Sequence, residues 1–137
     1  MKLFMYFAMI SPFLLNASFA NAQAITPVDA NFALVNEVPV DDENCPGVIY
    51  MNPEAWGSNE TPEFISILYP MNPVRALPSS NVNSKTWEID LVDFSPVKLQ
   101  ITVTLTAPHE FTWTEVAPGS SIPVCQLGEY QSKGVTN

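Results

Sequence analysis

The region between residues 86 and 116 most constrains the fold, because its apolar and polar residues alternate almost without interruption. The longest stretch runs over residues 98–106, with four apolar side chains at alternate positions: Leu99, Ile101, Val103 and Leu105. A period of two puts every second side chain on the same face of a β-strand. The pattern therefore predicts a strand with one buried and one solvated face, and similar alternation over residues 87–91 and 111–115 predicts two more.

Helices are disfavoured along most of the chain. Thirteen prolines are spread through the sequence, and a proline inside a helix costs about 3 kcal/mol. Short apolar segments recur instead at roughly ten-residue spacing, separated by turns rich in Pro, Gly and Asn, which is typical of all-β domains. We predict an all-β fold, an immunoglobulin-like β-sandwich, with a small β-barrel as the alternative.

Two cysteines, Cys45 and Cys125, are predicted to form one disulfide. In an oxidising compartment two cysteines allow a single intramolecular pairing. The bridge would close a loop of 80 residues, and the chain-entropy model gives a stabilisation of roughly 4.5 kcal/mol. A link between an early and a late strand resembles the arrangement in immunoglobulin-like domains, although the cysteine–tryptophan spacing of true immunoglobulin domains is absent. Two free buried thiols are the alternative.

The first 22 residues have the features of a secretory signal peptide. Lys2 precedes an apolar run over residues 3–15, and Ala20-Asn21-Ala22 has the small-x-small pattern of a cleavage site. The run is shorter than the about 20 apolar residues that span a bilayer. We predict a signal peptide at 1–22, an extended arm or edge strand at 23–44 and a β-sandwich domain at 45–137, in a secreted or periplasmic protein.

The chain without residues 1–22 is strongly acidic. Four basic residues remain against fourteen acidic ones, a formal net charge of −10. Such a surface repels phosphate backbones, which argues against nucleic acid as a partner. Residues 129–137 lack the apolar tail of a lipid-anchor signal, so no membrane anchor is expected. The partner classes that remain are an extracellular protein or a glycan, and homo-oligomerisation stays open.

Trp56 is the candidate ligand-binding residue. It lies in a segment with Pro53, Ala55 and Gly57 that predicts a loop. A loop tryptophan can provide a flat platform for a sugar ring or a contact for a protein. The alternative is that Trp56 folds back over one end of the core.

The acidic run Asp41, Asp42 and Glu43 is the candidate metal site, because its carboxylates are oxygen ligands of the kind that Ca²⁺ accepts. It lacks the ligand spacing and the turn glycine of an EF-hand loop. We expect no other cofactor. No catalytic constellation is apparent: His109 is the single histidine and lies in a predicted turn, and no G-x-S-x-G elbow is present.

The leading functional hypothesis is a secreted or periplasmic, non-catalytic binding protein. The first alternative is a structural subunit of a surface or envelope assembly, in which residues 23–44 add as a strand to a neighbouring copy. The second is a carboxylate-based hydrolase, which requires two convergent acids in a cleft. A variant of the leading hypothesis is an inhibitor of a basic secreted enzyme, since negative charge speeds the encounter with a cationic target.

Overall fold

The structure, a computed structural model, describes residues 23–40, 43–94 and 96–133. The predicted signal peptide, Asp41 and Asp42 therefore lie outside the described residues. The described part contains seven strands, β1 to β7, which are Ala30–Val38, Val48–Met51, Val74–Leu77, Ser84–Asp90, Lys98–Ala107, Glu110–Val116 and Leu127–Ser132. Two short α-helices, α1 (Pro53–Gly57) and α2 (Glu63–Leu68), lie between β2 and β3, and a 3₁₀ turn (Val92–Phe94) lies between β4 and β5.

All seven strands belong to one antiparallel sheet in the order β2-β1-β7-β6-β5-β4-β3, which curls into a half-barrel. Cys45 and Cys125 form a disulfide. The predicted all-β fold with one disulfide is therefore confirmed. The strands do not divide into two stacked sheets, because β1 pairs with both β2 and β7 and so joins the first and last strands. The inner face of the curled sheet is covered by the two helices instead.

The segment 23–44, predicted as an extended arm or edge strand, supplies β1. It is extended, but it lies inside the sheet: Phe32 is paired with Ile49 of β2, and Val38 with Leu127 of β7. A β-bulge between Leu34 and Asn36 shifts the register with β7. Phe32 is fully buried, whereas Val38, which has the same parity, is 46% exposed. The bulge explains this loss of alternation, because one extra residue reverses which face the following side chains occupy.

Both helices depart from the all-β pattern that the sequence predicts, and α1 replaces the loop predicted around Trp56. The Asn52 side chain accepts a hydrogen bond from the Ala55 N–H at 2.7 Å, and Pro53 occupies the first turn, so α1 begins with a favourable cap. α2 forms within an apolar run and places the Phe64 and Ile65 side chains in the core. Among the residues that the structure describes, no helix has the length and apolar character needed to cross a bilayer.

The core lies between the inner face of the sheet and α2. The alternation predicted for β5 is confirmed, since its four apolar side chains are at most 3% exposed. Phe64 of α2 packs edge-on against Trp87, with ring centres 5.6 Å apart, and against Trp113 at 6.3 Å. Phe111 stacks on Tyr130 at 4.8 Å. The two contacts of Phe64 fix α2 against β4 and β6, and the Phe111–Tyr130 stack joins β6 to β7.

Each edge strand of the sheet is four residues long and has prolines close to both ends. Pro46 precedes β2 and Pro53 follows it, while Pro73 and Pro78 flank β3 directly. A proline has no N–H to donate to a ladder, so each unpaired edge is short.

Candidate functional site

Four connections lie at the same end of the sheet. Paired residues show this: Val38 lies opposite Leu127, Asp90 opposite Lys98, and Val74 opposite Ile89. Because neighbouring strands are antiparallel, the β1–β2, α2–β3, β4–β5 and β6–β7 connections emerge together. We call these connections and the strand residues next to them the loop end.

The loop end carries most of the exposed apolar side chains in the connections. Seven large ones are there or on the adjoining strand ends, with exposed fractions from 46% to 85%: Val38, Val40, Val48, Met71, Val92, Phe94 and Val116. Among the described residues, the connections at the opposite end expose one large apolar side chain, Val82. A concentration of exposed apolar side chains at one end of a domain is characteristic of an interaction surface.

The disulfide holds two of the loop-end connections together. Cys45 lies in the β1–β2 connection and Cys125 in the β6–β7 connection, with Cα atoms 4.6 Å apart. The Tyr130 hydroxyl donates to the Pro46 carbonyl at 2.6 Å and fixes the same connection to β7. The disulfide is compatible with an extracellular or periplasmic location.

The buried carboxylate of Glu115 attaches the β6–β7 connection to strand β6. Glu115 is 7% exposed, and its two oxygens accept hydrogen bonds from the Trp113 indole N–H and the Cys125 backbone N–H, both at 3.0 Å. Burial raises the pKa of Glu115, and these two hydrogen bonds offset only part of the effect. Burial, and then the nearby charge of Glu115, raise the pKa of the Tyr69 hydroxyl as well.

The β4–β5 connection is ordered by its own backbone. The Leu91 N–H donates to the Val97 carbonyl at 3.1 Å, and the Val97 N–H donates to the Phe94 carbonyl at 2.8 Å. Phe94 is therefore presented to solvent from a fixed turn, 57% exposed.

Exposed carboxylates also lie at the loop end. Glu43 is in the β1–β2 connection and Asp93 in the β4–β5 connection, and neither makes an ion pair with any residue that the structure describes.

The structure places Trp56 in the core, 7% exposed, at the end of the sheet opposite the loop end. The Lys85 ammonium lies 5.0 Å from the centre of the Trp56 ring and also donates a hydrogen bond to the Trp56 carbonyl. The ring is thus covered rather than presented as a platform. A ligand-binding role for Trp56 stays a prediction, and it requires the ring to become accessible.

The candidate calcium site stays a prediction, because two of its three residues, Asp41 and Asp42, lie outside the described ranges. Glu43 is exposed. Within residues 23–40, 43–94 and 96–133, no three His, Cys, Asp or Glu side chains are grouped so as to hold a metal ion. His109 is exposed in the β5–β6 turn, where its Nδ1 lies 2.9 Å from the Ser132 hydroxyl.

The loop-end residues were missed by reasoning from the sequence. Met71 directly follows Pro70, and Val92 and Phe94 come just after the alternation over residues 87–91 has ended. Neither a period of two nor a period of 3.6 includes these three residues. Their grouping depends on the order of the strands. The available signal was a large apolar residue in a predicted turn, repeated in several turns.

Comparison of the chain with protein-family models, with curated proteins and with solved structures gave no match.

Proposed function

We propose that this chain is a secreted or periplasmic, non-catalytic binding protein whose loop end contacts a partner protein. The observation that carries the proposal is the exposure of apolar side chains there, above all Met71 at 85% and Phe94 at 57%. Burying a side chain of this size is worth about 1.5–3 kcal/mol. A partner that covers both would gain a substantial part of its binding free energy from them.

The order of the loop end supports this role. Connections that are already fixed by a disulfide, by Glu115 and by backbone hydrogen bonds lose little conformational entropy when a partner binds. Binding residues are commonly carried on loops that a rigid scaffold positions.

The charge of the loop end favours a partner with basic residues around an apolar pocket. Glu43 and Asp93 lack ion-pair partners among the described residues, and the chain as a whole is acidic. Complementary charge accelerates the encounter and suppresses wrong partners. A basic secreted enzyme is one target of this kind, so inhibition of such an enzyme is included in the proposal.

The two alternative functions receive less support from the described residues. Strand exchange through residues 23–44 would have to release β1, which pairs with β2 on one side and β7 on the other. A carboxylate-based hydrolase needs an accessible acid with a raised pKa, whereas both oxygens of Glu115 are buried in hydrogen bonds to Trp113 and Cys125.

The test is capture of partner proteins by immobilised protein from the extracellular and envelope fractions of producing cells. We expect the wild-type chain to retain a discrete partner, and Met71→Ser with Phe94→Ser to reduce its retention at least tenfold. Val35→Ser is the matched control, because Val35 is 55% exposed and lies within β1, away from the loop end. Retention should also fall as salt is raised. Equal retention by the loop-end variant and the wild type would contradict the proposal, as would the absence of any retained protein.

A further inference from the structure

The end of the sheet opposite the loop end has a concave surface. A cavity of about 310 Å³ opens beside edge strand β3, between the segment that follows α1 and the β3–β4 connection. This volume lies near the lower limit of ligand pockets, which range over about 300–1,000 Å³. The cavity therefore has room for one small ligand.

Lys85 places a half-buried ammonium in the cavity wall. Arg75 and Lys98 each have a carboxylate partner, whereas Lys85 makes no ion pair with a described residue. The Lys85 ammonium contacts the carbonyl and the ring of Trp56. Burial lowers the pKa of Lys85. An ammonium that is partly desolvated and lacks a counter-ion favours the approach of an anionic oxygen.

The walls of the cavity are already ordered. In the β3–β4 connection, the Asn81 N–H donates to the Ser79 hydroxyl at 3.3 Å, and the Asn83 N–H donates to the Asn81 side-chain oxygen at 2.9 Å. In the segment after α1, the Glu60 N–H donates to the Ser58 hydroxyl at 3.1 Å. A ligand that binds between these segments pays little to order them.

The other side chains that line the cavity are amides, hydroxyls and apolar groups, which are the kinds that bind sugars. The Asn59 side chain is exposed and makes no hydrogen bond with a described residue, so both its donors and its acceptor are available. Leu77 and Val82 provide an apolar surface beside it. An amide and hydroxyl rim next to an apolar wall matches the hydroxyl edge and the C–H face of a sugar ring.

We infer that this cavity binds an acidic sugar, a hydroxylated ring that carries a carboxylate, with Lys85 contacting the carboxylate and Asn59 the ring hydroxyls. The site is independent of the loop end. Glu60 also lines the cavity, and its negative charge opposes an anionic ligand. Neutralising Glu60 should therefore strengthen binding of the anionic ligand, whereas neutralising Lys85 should weaken it.

The experiment is calorimetric titration of the protein with glucuronate, glucose and acetate at low ionic strength. We expect saturable binding of glucuronate, with glucose and acetate each at least tenfold weaker, because each carries only half of the recognised chemistry. Lys85→Gln should weaken glucuronate binding at least tenfold, Asn59→Ala should weaken it several-fold, and Glu60→Gln should strengthen it.

Lys133→Gln is the matched control, because it removes an exposed basic residue that does not line the cavity. The loop-end variant should bind glucuronate like the wild type, so failure here is separate from failure of the proposed function. Asn59 and Glu60 are exposed, so their variants keep the test decisive even if Lys85→Gln perturbs folding. Absence of saturable glucuronate binding would overturn the inference, and so would equal binding by the Asn59, Glu60 and Lys133 variants.

Discussion

Glu115 and Cys125 exchange two hydrogen bonds that tie the disulfide to the sheet. The Glu115 carboxylate accepts the Cys125 backbone N–H at 3.0 Å, and the Glu115 backbone N–H donates to the Cys125 carbonyl at 2.7 Å. A carboxylate without a basic partner in the core is costly unless its oxygens are satisfied. Each oxygen of Glu115 accepts one hydrogen bond, which reduces the free-energy cost of burying the carboxylate. The hydrogen bond from the Cys125 N–H also attaches the β6–β7 connection to the sheet.

The stability of the fold should depend on the protonation of Glu115. Burial raises its pKa above the ordinary value of 4.5, so the folded state keeps this proton at pH values where the unfolded chain has released it. The Glu115 contribution to the free energy of unfolding is therefore most favourable below 4.5 and falls as the pH rises through the folded pKa. Urea unfolding at a series of pH values, compared between wild type and Glu115→Gln, should show that the variant lacks this decline.

Glu115→Gln should also be less stable overall by about 1–3 kcal/mol, because an amide cannot accept both N–H groups. Glu88→Gln is the control of opposite sign. Burial raises the pKa of Glu88, but hydrogen bonds from Gln100 and Lys98 and the charges of Arg75 and Lys98 lower it by more. Its favourable contribution is thus lost as the pH falls. An identical pH dependence in wild type and Glu115→Gln would contradict the prediction.

Removal of the disulfide should destabilise the protein strongly. The bond closes a loop with a sequence separation of 80 residues, and Cys45→Ala with Cys125→Ala should lower the free energy of unfolding by up to about 4.5 kcal/mol. Denaturant titration measures the change, and mass spectrometry of alkylated, unreduced wild-type protein should find no free thiol. Alkylation of both cysteines without reduction would show that the bond is absent.

Trp56 should behave as a core residue. Trp56→Ala is expected to cost about 3–5 kcal/mol, since it removes a buried indole from contact with the core. Val40→Ala, at a side chain 75% exposed, should change stability by no more than about 0.5 kcal/mol. If thermal unfolding showed equally small effects for both variants, Trp56 would have to be an accessible surface residue.

The cap of α1 should be worth a measurable amount. Asn52→Ala removes the acceptor of the Ala55 N–H and should lower the free energy of unfolding by about 0.5–2 kcal/mol. Asn52→Asp keeps an acceptor at the cap and should restore most of the loss. If denaturant titration showed that Asn52→Asp is as unstable as Asn52→Ala, the capping hydrogen bond would not be the source of the stabilisation.

The features that could be predicted from the sequence are those that a local pattern determines. The alternation of β4, β5 and β6 shows which face is buried without knowledge of the neighbouring strands. The disulfide followed from the presence of two cysteines alone. These predictions hold because a period of two and a single possible pairing leave few alternatives.

The features that were missed depend on context. The apolar run at α2 is six residues long, too short for its period to separate a buried strand from a helix. Pro53 lies in a segment that predicted a loop, whereas it starts α1 behind the Asn52 cap. The bulge in β1 breaks the alternation that Phe32 begins, so that Val38 is exposed. The Cys125 N–H that Glu115 accepts lies ten residues away across a connection. The candidate sites share this property, since the loop end and the β3 cavity both join segments that are distant in the chain.

The prolines beside β2 and β3 limit the association of copies through the edges of the sheet. Another extended chain that approached either border would find only a four-residue ladder before a missing donor interrupts it. Growth of the sheet into fibrils by edge-to-edge addition of copies is therefore unfavourable, and association of the protein is left to its side chains.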